Sequence, residues 1–401
     1  MNHHIPDHLI EEIRSRNDIL DTISANVLLK KSGQNYKGLC PFHSEKTPSF
    51  VVSPEKQIYH CFGCGAGGNI FKFIMEMEDL SFLDVIKTLA SKCGVALPSF
   101  KPGQINAKSN ERDVLLNINQ KAQSYFIRSL MSKGGEQARE YLNSRGFNDE
   151  KLLADYSIGW AAPGWTDTLH QLQNQEKFSK NDLSRAGLIK QKEGADKNNF
   201  YDRFRGRIMF PLQDIHGNLI AFAGRVINET EPKYLNSPET ALYIKGKHLF
   251  GFNRAKESIR KQNKALIVEG YFDQMRAHQN GIRNSVATCG TALTLEQASL
   301  LKNHTKRATL IFDSDSAGQA ATKKGFEVLL KQGLSVDVLS LPSGHDPDSF
   351  IHQFGPEKFL EELKNARPFV ESFIDDAIAG GNLSTPMGKV EVVNKVLPIL
   401  M

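Results

Sequence analysis

The chain lacks any run of about 18 apolar residues, so no membrane-spanning helix is expected. Cysteine is scarce, five in 401 residues and an odd number. The first thirty residues carry Asp7, Glu11, Glu12, Asp18 and Asp21 and no apolar stretch of the secretory kind. A disulfide framework is therefore not expected, the expected compartment is the cytoplasm, and metal binding is the better reading of the cysteines. Tandem repeats and low-complexity tracts are missing, which argues against a solenoid or a disordered array. No G-x₄-G-K-[ST] loop occurs, which disfavours a P-loop motor. Charge of one sign is not in large excess: 50 Lys and Arg against 45 Asp and Glu leave +5. That balance permits nucleic-acid binding without requiring it, so the distribution of charge decides.

What is present is ordinary globular material, 40% hydrophobic and 24% charged, long enough for two to four domains at roughly 100–200 residues each. Apolar spacing predicts helix over 5–30, then a glycine-rich β segment over 33–68, then helix over 69–93. Residues 98–110, with two prolines and no periodicity, read as a linker. Helix is expected over 111–142 and again over 356–401, with short strands and many basic residues over 200–260. From 265 the apolar runs ALIV, SVA, ATLIF and VDVL alternate with helical stretches, the pattern of a buried parallel sheet.

Two constellations carry chemistry. Cys40-x₂-His43, seventeen intervening residues and Cys61-x₂-Cys64 supply three sulfurs and one nitrogen on two tight knuckles. That donor set suits one tetrahedral Zn²⁺, and with no open position the ion is structural. His60 breaks the spacing and is left out; Cys93 and Cys289 read as core residues. Lys30, Lys31, Lys37, Lys46 and Lys56 are interleaved with Phe42, Phe50, Tyr59 and Phe62, a combination suited to single-stranded nucleic acid. The plainer alternative for each ring is a place in a small core.

The second constellation is acidic. Glu269 ends one apolar run, Asp313 and Asp315 end another, and Asp273, Asp346 and Asp348 follow strand ends as well. In a parallel sheet the carboxyl ends of strands converge on one crevice. Residues two apart on an extended segment project to one side, so Asp313 and Asp315 can face one ion. Such a cluster, with few cations among its members, asks for Mg²⁺ or Mn²⁺. Aspartates at turns and helix caps are the plainer alternative. Beside it, residues 200–264 hold twelve Lys/Arg against six Asp/Glu. Arg203, Arg205 and Arg207 alternate, and on an extended segment they would line one face, with Arg225, Lys233, Lys245 and Lys247 following.

These stretches together resemble bacterial DNA primases of the DnaG type, over nearly the whole chain. CPFHSEKTPSF (40–50) and YHCFGCGAGGNIF (59–71) resemble the family's zinc ribbon. RFRGRIMFPLQDIHGNLIAFAGR (203–225) and PKYLNSPET (232–240) resemble its basic catalytic subdomain. VEGYFD (268–273), DSD (313–315) and DPDSF (346–350) resemble its Toprim metal motifs. Ser314 and Ala223 stand where the family usually has glycine.

The resemblance implies an α/β multidomain protein. It assigns a zinc-binding domain at 1–97 with its ribbon at 40–64, the linker at 98–110, and a mixed α+β basic part of the polymerase core at 111–262. A Toprim subdomain follows at 263–345, and the start of a helical subdomain at 346–401. It implies a DNA primase: a nucleotidyltransferase that copies single-stranded DNA into RNA primers from NTPs, with an RNA–DNA hybrid as product. Cys40, His43, Cys61 and Cys64 match the zinc ligands, and Glu269, Asp313 and Asp315 the catalytic carboxylates, with Asp273, Asp346 and Asp348 as further acidic positions. Lys233 and Lys245 match basic positions for nucleotide or template, joined by Arg225, Arg145, Arg203 and Arg205. The family continues into the rest of a helical subdomain and a helicase-binding domain, so the chain reads as part of such a protein and helicase docking is not carried onto it. A monomer is expected. The rivals are a Toprim nuclease or topoisomerase and a non-catalytic recombination mediator.

Overall fold

The computed structural model describes residues 5–43, 45–78, 80, 82–97, 107–192, 199–228, 231–288, 290, 292–312, 316–342 and 344–400. The chain divides into two compact units, Met1–Glu111 and Arg112–Met401.

In the first unit the helical pattern over 5–30 resolves into α1 (Asp7–Ser15) and α2 (Ile19–Ser24). Asp18 causes the break. Its carboxylate accepts from the backbone N–H of Leu20 at 2.7 Å and of Asp21 at 3.2 Å, which starts a new helix. Five strands follow: β1 (Lys30–Ser32), β2 (Asn35–Gly38), β3 (Phe50–Ser53), β4 (Ile58–Cys61) and β5 (Gly67–Gly68). They form one antiparallel sheet in sequence order. Side chains alternate, so Phe50, Val52, Tyr59 and Cys61 are buried while Ile58 and His60 are exposed. α3 (Ile70–Glu78) and α4 (Phe82–Cys93) close the core with Phe73, Ile74, Val85, Ile86 and Leu89. Asp79 and Ser81, at the break within the expected 69–93 helix, lie outside the described residues.

The rings of this unit are mostly interior. Tyr59 stacks on Phe50 at 5.2 Å and meets the edge of Phe73 at 5.4 Å, with Phe42 at 5.9 Å from Tyr59. Phe42, Phe50 and Tyr59 therefore build the core rather than a surface for bases. Phe62 alone of the four stands out, 75% exposed.

α5 (Ala107–Met131) runs across the boundary from the first unit into the second, and its start lies inside the expected linker; residues 98–106 are outside the described set. α5 does not continue to 142. A Cβ at Gly135 would meet the carbonyl oxygen of Leu130 at 2.2 Å, a turn so tight that the chain restarts as α6 (Glu136–Ser144). Then come α7 (Glu150–Asp155), β6 (Gly159–Ala161), α8 (Asp167–His170), α9 (Lys180–Arg185) and the hairpin β7 (Ile189–Gln191)–β8 (Phe200–Asp202). β9 (Arg207–Gln213), β10 (Leu219–Val226) and β11 (Tyr234–Asn236) join β6 in an antiparallel sheet of order β11-β10-β9-β6.

The remaining elements are α10 (Phe252–Gln262), β12 (Ala265–Val268), α11 (Tyr271–Gln279), β13 (Ser285–Ala287), α12 (Leu295–Lys302) and β14 (Arg307–Ile311). After them come α13 (Ser316–Lys331), β15 (Ser335–Val338), α14 (Pro347–Lys364), β16 (Arg367–Pro368), α15 (Phe369–Ala379) and α16 (Pro386–Leu400). The second sheet has the order β13-β12-β14-β15-β16, parallel except for the edge strand β16. The β9–β10 pair is covered on both faces, so its strands are buried along almost their whole length and mostly apolar, with Arg207 and Arg225 among the buried side chains. Phe222 meets Phe126 of α5 at 5.4 Å, while Phe210 stacks on Tyr271 of α11 at 5.0 Å. The two sheets thus share one apolar core. Among the described residues no helix is long and apolar enough to cross a membrane.

His278 on α11 is fully buried, and burial first, with the Arg283 charge behind it, pushes its pKa down to about 3. Its folded value lies below the unfolded value of about 6.5, so the neutral ring contributes stability above that pH, and the contribution is lost as pH falls. The expected cost is about 1.4 kcal/mol per pH unit between about 6.5 and 3. His278→Leu should flatten the fall in thermal midpoint over that range; an unchanged slope would show that other groups set it.

Candidate functional site: two metal-ligand knuckles and an acidic crevice

The first knuckle lies between β2 and β3, and the second is the turn that follows β4. The ligand atoms of Cys40, His43, Cys61 and Cys64 all lie within 4.8 Å of one another. The Cys40 and Cys64 sulfurs are 3.8 Å apart, and the Cys61 sulfur is 3.8 Å from His43 Nδ1. A tetrahedron with Zn–S bonds of about 2.3 Å has edges near 3.8 Å, so the donor set fits zinc in size as well as chemistry. Burial pushes the Cys40 thiol up to about 12. For Cys61 burial acts the same way, but the Ser49 hydroxyl and the amides of Cys64 and Gly63 outweigh it, and the pKa falls to about 7. A cation would replace the protons on both. Among the described residues this is the only group of three or more ligand-type side chains close enough to share an ion.

The acidic crevice is set by strand register. β12 and β14 are parallel neighbours, with Val268 opposite Ile311. Glu269 follows Val268 directly and is half-buried; Asp313 and Asp315 follow Ile311 in sequence and lie outside the described residues. The other three aspartates are bound into the fold. Asp346 caps α14, accepting from the N–H of Ser349 at 2.7 Å. Asp273 accepts from the N–H of Gly270 at 2.8 Å and of Asp348 at 3.1 Å, tying the start of α11 to the start of α14. Burial, then the charges of Asp346 and Asp348, push the Asp273 carboxyl up to about 8.

The expectation of few cations among these acids does not hold at Asp348. Arg276 Nε donates to one of its oxygens at 2.8 Å, and Arg145 Nη2 donates to the other. Arg276 also donates to the carbonyls of Arg145 and Gly146. Arg145, expected to meet nucleotide or template, therefore has part of its guanidinium engaged by Asp348, with Phe272 beneath it at 4.7 Å. Arg276 had no signal in the sequence: apart from Gln279 one turn on, its partners lie 72 and more than 100 residues away.

Arg203, Arg205 and Arg207 do not line one face. Gly206 takes φ +59°, which turns the chain just before β9 begins. Arg203 donates to the carbonyl of Asn236 at 2.8 Å, and Arg207 is buried, donating to the carbonyl of Gly224 at 3.0 Å. Arg205 lies 4.2 Å over Trp165, with Tyr201 nearby at 5.3 Å. Trp165 is 65% exposed. This ring platform was missed; a tryptophan after Pro163-Gly164, one of two in the chain, is the signal that pointed to it. Arg225 is buried in a box of Tyr141, Tyr234 and Phe272, and donates to the Tyr234 hydroxyl at 2.6 Å. Lys233 is exposed. Lys245 sits in a tight turn that Thr294 and Gln297 of α12 hold through the carbonyls of Gly246 and His248.

Three family descriptions match the chain. A CHC2 zinc finger covers residues 5–104, the N-terminal domain of the DNA primase catalytic core covers 125–256, and a Toprim-like region covers 266–351. The chain is 40% identical over 397 residues to a DNA primase of Clostridium acetobutylicum, covering 99% of this chain and 65% of that protein. It is 42% identical over 364 residues to a DNA primase of Halalkalibacterium halodurans, covering 90% of this chain and 60% of that protein. It therefore spans somewhat less than two thirds of the length of these relatives. The fold is similar to the zinc-binding and RNA polymerase domains of the Aquifex aeolicus primase, with a TM-score of 0.63 at 35% identity, covering 97% of this chain and 92% of that one. It is also similar to a DnaG primase catalytic domain bound to ssDNA, with a TM-score of 0.64 at 32% identity, covering 73% and 94%.

Cys61→Ser should abolish stoichiometric zinc binding, measured by emission spectroscopy. A structural zinc contributes on the order of 10 kcal/mol to a small domain, so the first unit should melt early while the second keeps its own transition. Retained zinc would refute the ligand assignment.

Proposed function

The chain belongs to the DnaG-type DNA primase family, and from that premise we propose that it synthesises short RNA primers on single-stranded DNA from NTPs. On this reading residues 1–97 are the zinc-binding domain, 111–262 and 263–345 form the basic and Toprim parts of the polymerase core, and 346–401 open a helical subdomain. The observation that carries the reading is the register of β12 and β14, in which Val268 pairs with Ile311. Glu269 follows one strand, and the Asp313–Asp315 stretch follows its neighbour in sequence. Glu269, Asp313 and Asp315 are the residues that would hold Mg²⁺ or Mn²⁺, and such an ion would neutralise charge on the triphosphate and on the leaving pyrophosphate. Asp273, Asp346 and Asp348 are the further acidic positions for such an ion, with Asp346 capping α14 and Asp348 paired with Arg276 and Arg145.

In the reaction the RNA 3′-hydroxyl attacks the α-phosphorus of the NTP, one P–O bond forms, and the bond to pyrophosphate breaks. The protein's part is positioning and electrostatics. Lys233, Lys245 and Arg225 hold phosphates of nucleotide or template. Arg225 is buried with aromatic rings around it, so its charge acts through a medium that screens little. Trp165, with Arg205 on one face, offers a stacking surface for a template base. The zinc ribbon, with Phe62 exposed, contacts the template strand.

RNA synthesis on random single-stranded DNA, with the products sequenced, tests this reading; cleavage of the DNA without synthesis would favour a Toprim nuclease instead. Glu269→Gln should reduce primer yield by at least 10²-fold while leaving DNA affinity within a few-fold, and retained yield would contradict the metal role. Lys233→Ala should reduce the slope of log K against log salt by about 0.7 if the side chain meets one phosphate of a single strand. An unaltered slope would remove it from the binding surface.

A further inference from the structure

Glu45 lies two residues past His43 and outside the four-ligand pattern. Its carboxylate is only 10% exposed, and it touches three of the four ligands or their supports. Oε1 accepts from the backbone N–H of Cys40 at 2.7 Å and of Ser49 at 3.1 Å. Oε2 lies 3.3 Å from His43 Nε2 and accepts from the Ser49 hydroxyl at 2.5 Å. That hydroxyl oxygen is in turn 3.1 Å from the Cys61 sulfur. One side chain is thus connected to Cys40 through its amide, to His43 through its ring and to Cys61 through Ser49.

The second knuckle leaves room for this arrangement. A Cβ at Gly63 would meet His43 Nε2 at 2.7 Å and the Ser49 oxygen at 2.9 Å, so Cys61-Phe-Gly-Cys64 packs directly on the ring and the hydroxyl. The ring therefore has a carboxylate at one nitrogen and the sulfur cluster at the other, with Nδ1 3.8 Å from the Cys61 sulfur. An imidazole that donates one N–H to a carboxylate keeps its lone pair on the opposite nitrogen, fixed in direction and raised in basicity.

We propose that Glu45 is the positioning residue of the zinc knuckle: it holds His43 with Nε2 protonated and Nδ1 toward the metal, and through Ser49 sets the place of the Cys61 sulfur. The proposal rests on the reading that Cys40, His43, Cys61 and Cys64 hold the ion. A carboxylate that served only to staple the 40–49 loop would act through the Cys40 and Ser49 amides alone. Gln at position 45 keeps an acceptor for those amides but loses the charge facing the ring, so the two roles separate.

The test uses the full chain, with zinc itself as probe in a chelator competition and long-range ¹H–¹⁵N NMR of the His43 ring as a second readout. Glu45→Ala should bind zinc about 10–100-fold more weakly. Glu45→Gln should lose most of that factor while keeping the parent's secondary structure, and it carries the test if the Ala variant does not fold. In the parent the ring should show metal on Nδ1 and a proton on Nε2. Affinity of the Gln variant within twofold of the parent, or zinc on Nε2, would overturn the proposal. A parent chain that binds no stoichiometric zinc would overturn the ligand assignment and the proposal with it; a parent that binds zinc with an unaffected Gln variant would overturn the proposal alone.

Discussion

Carboxylates cannot be gathered in a buried place unless a cation or a proton offsets their charge, and that constraint organises the second unit. Asp273 and Asp348 are both buried and joined through a backbone N–H at 3.1 Å. Arg276 compensates Asp348 from within the same helical layer, and Arg145 does so from a segment 203 residues away in sequence. Because Arg276 also holds the carbonyls at the end of α6, neutralising the acid and docking that segment are one event. Removing one partner of such a buried pair strands a charge, at a cost of about 3–5 kcal/mol. The stack of Phe147 on Phe272 at 4.8 Å lies beside it, so apolar packing and ion pairing reinforce each other at the junction of the two sheets.

The first unit faces a different shortage. Met1–Glu111 is a small unit, and a small unit buries a lesser share of its surface than a large one. It gathers Phe42, Phe50, Tyr59 and Phe73 into one cluster and places the metal-ligand knuckles at its edge, with Cys40 and Cys61 belonging to both the core and the ligand set. Rings occupied in that way are not available to nucleic acid, which leaves Phe62, with His60 4.8 Å away, as the most exposed phenylalanine ring of the described residues in this unit.

What was legible in the sequence was local. The two ligand pairs are each four residues long, so spacing alone named the four side chains that the fold brings within 4.8 Å. The apolar runs named β12 and β14, because a strand buried on both faces carries few polar residues: none interrupts Ala265–Val268, and Thr309 alone interrupts the buried part of β14. Long-range pairing left no such trace. Nothing near Asp348 announces Arg145, and alternation of Arg203, Arg205 and Arg207 suggested one face where a single positive-φ glycine turns the chain. The helix over 5–30 was misjudged for a smaller reason: Asp18 caps α2, and apolar spacing on either side does not register a cap.

The parallel pairing of Val268 with Ile311 has a consequence for how such a chain tolerates change. A strand alternates its faces every residue, so a single inserted or deleted position within β12 or β14 would swap inward for outward side chains all the way to the rim. Between the strands no such parity applies. The crossover through α11, β13 and α12 can lengthen at its surface turns for a small entropic cost that grows only with the logarithm of length. Length variation should therefore accumulate in the connections, while the residue count from the middle of each strand to its terminal acid stays fixed.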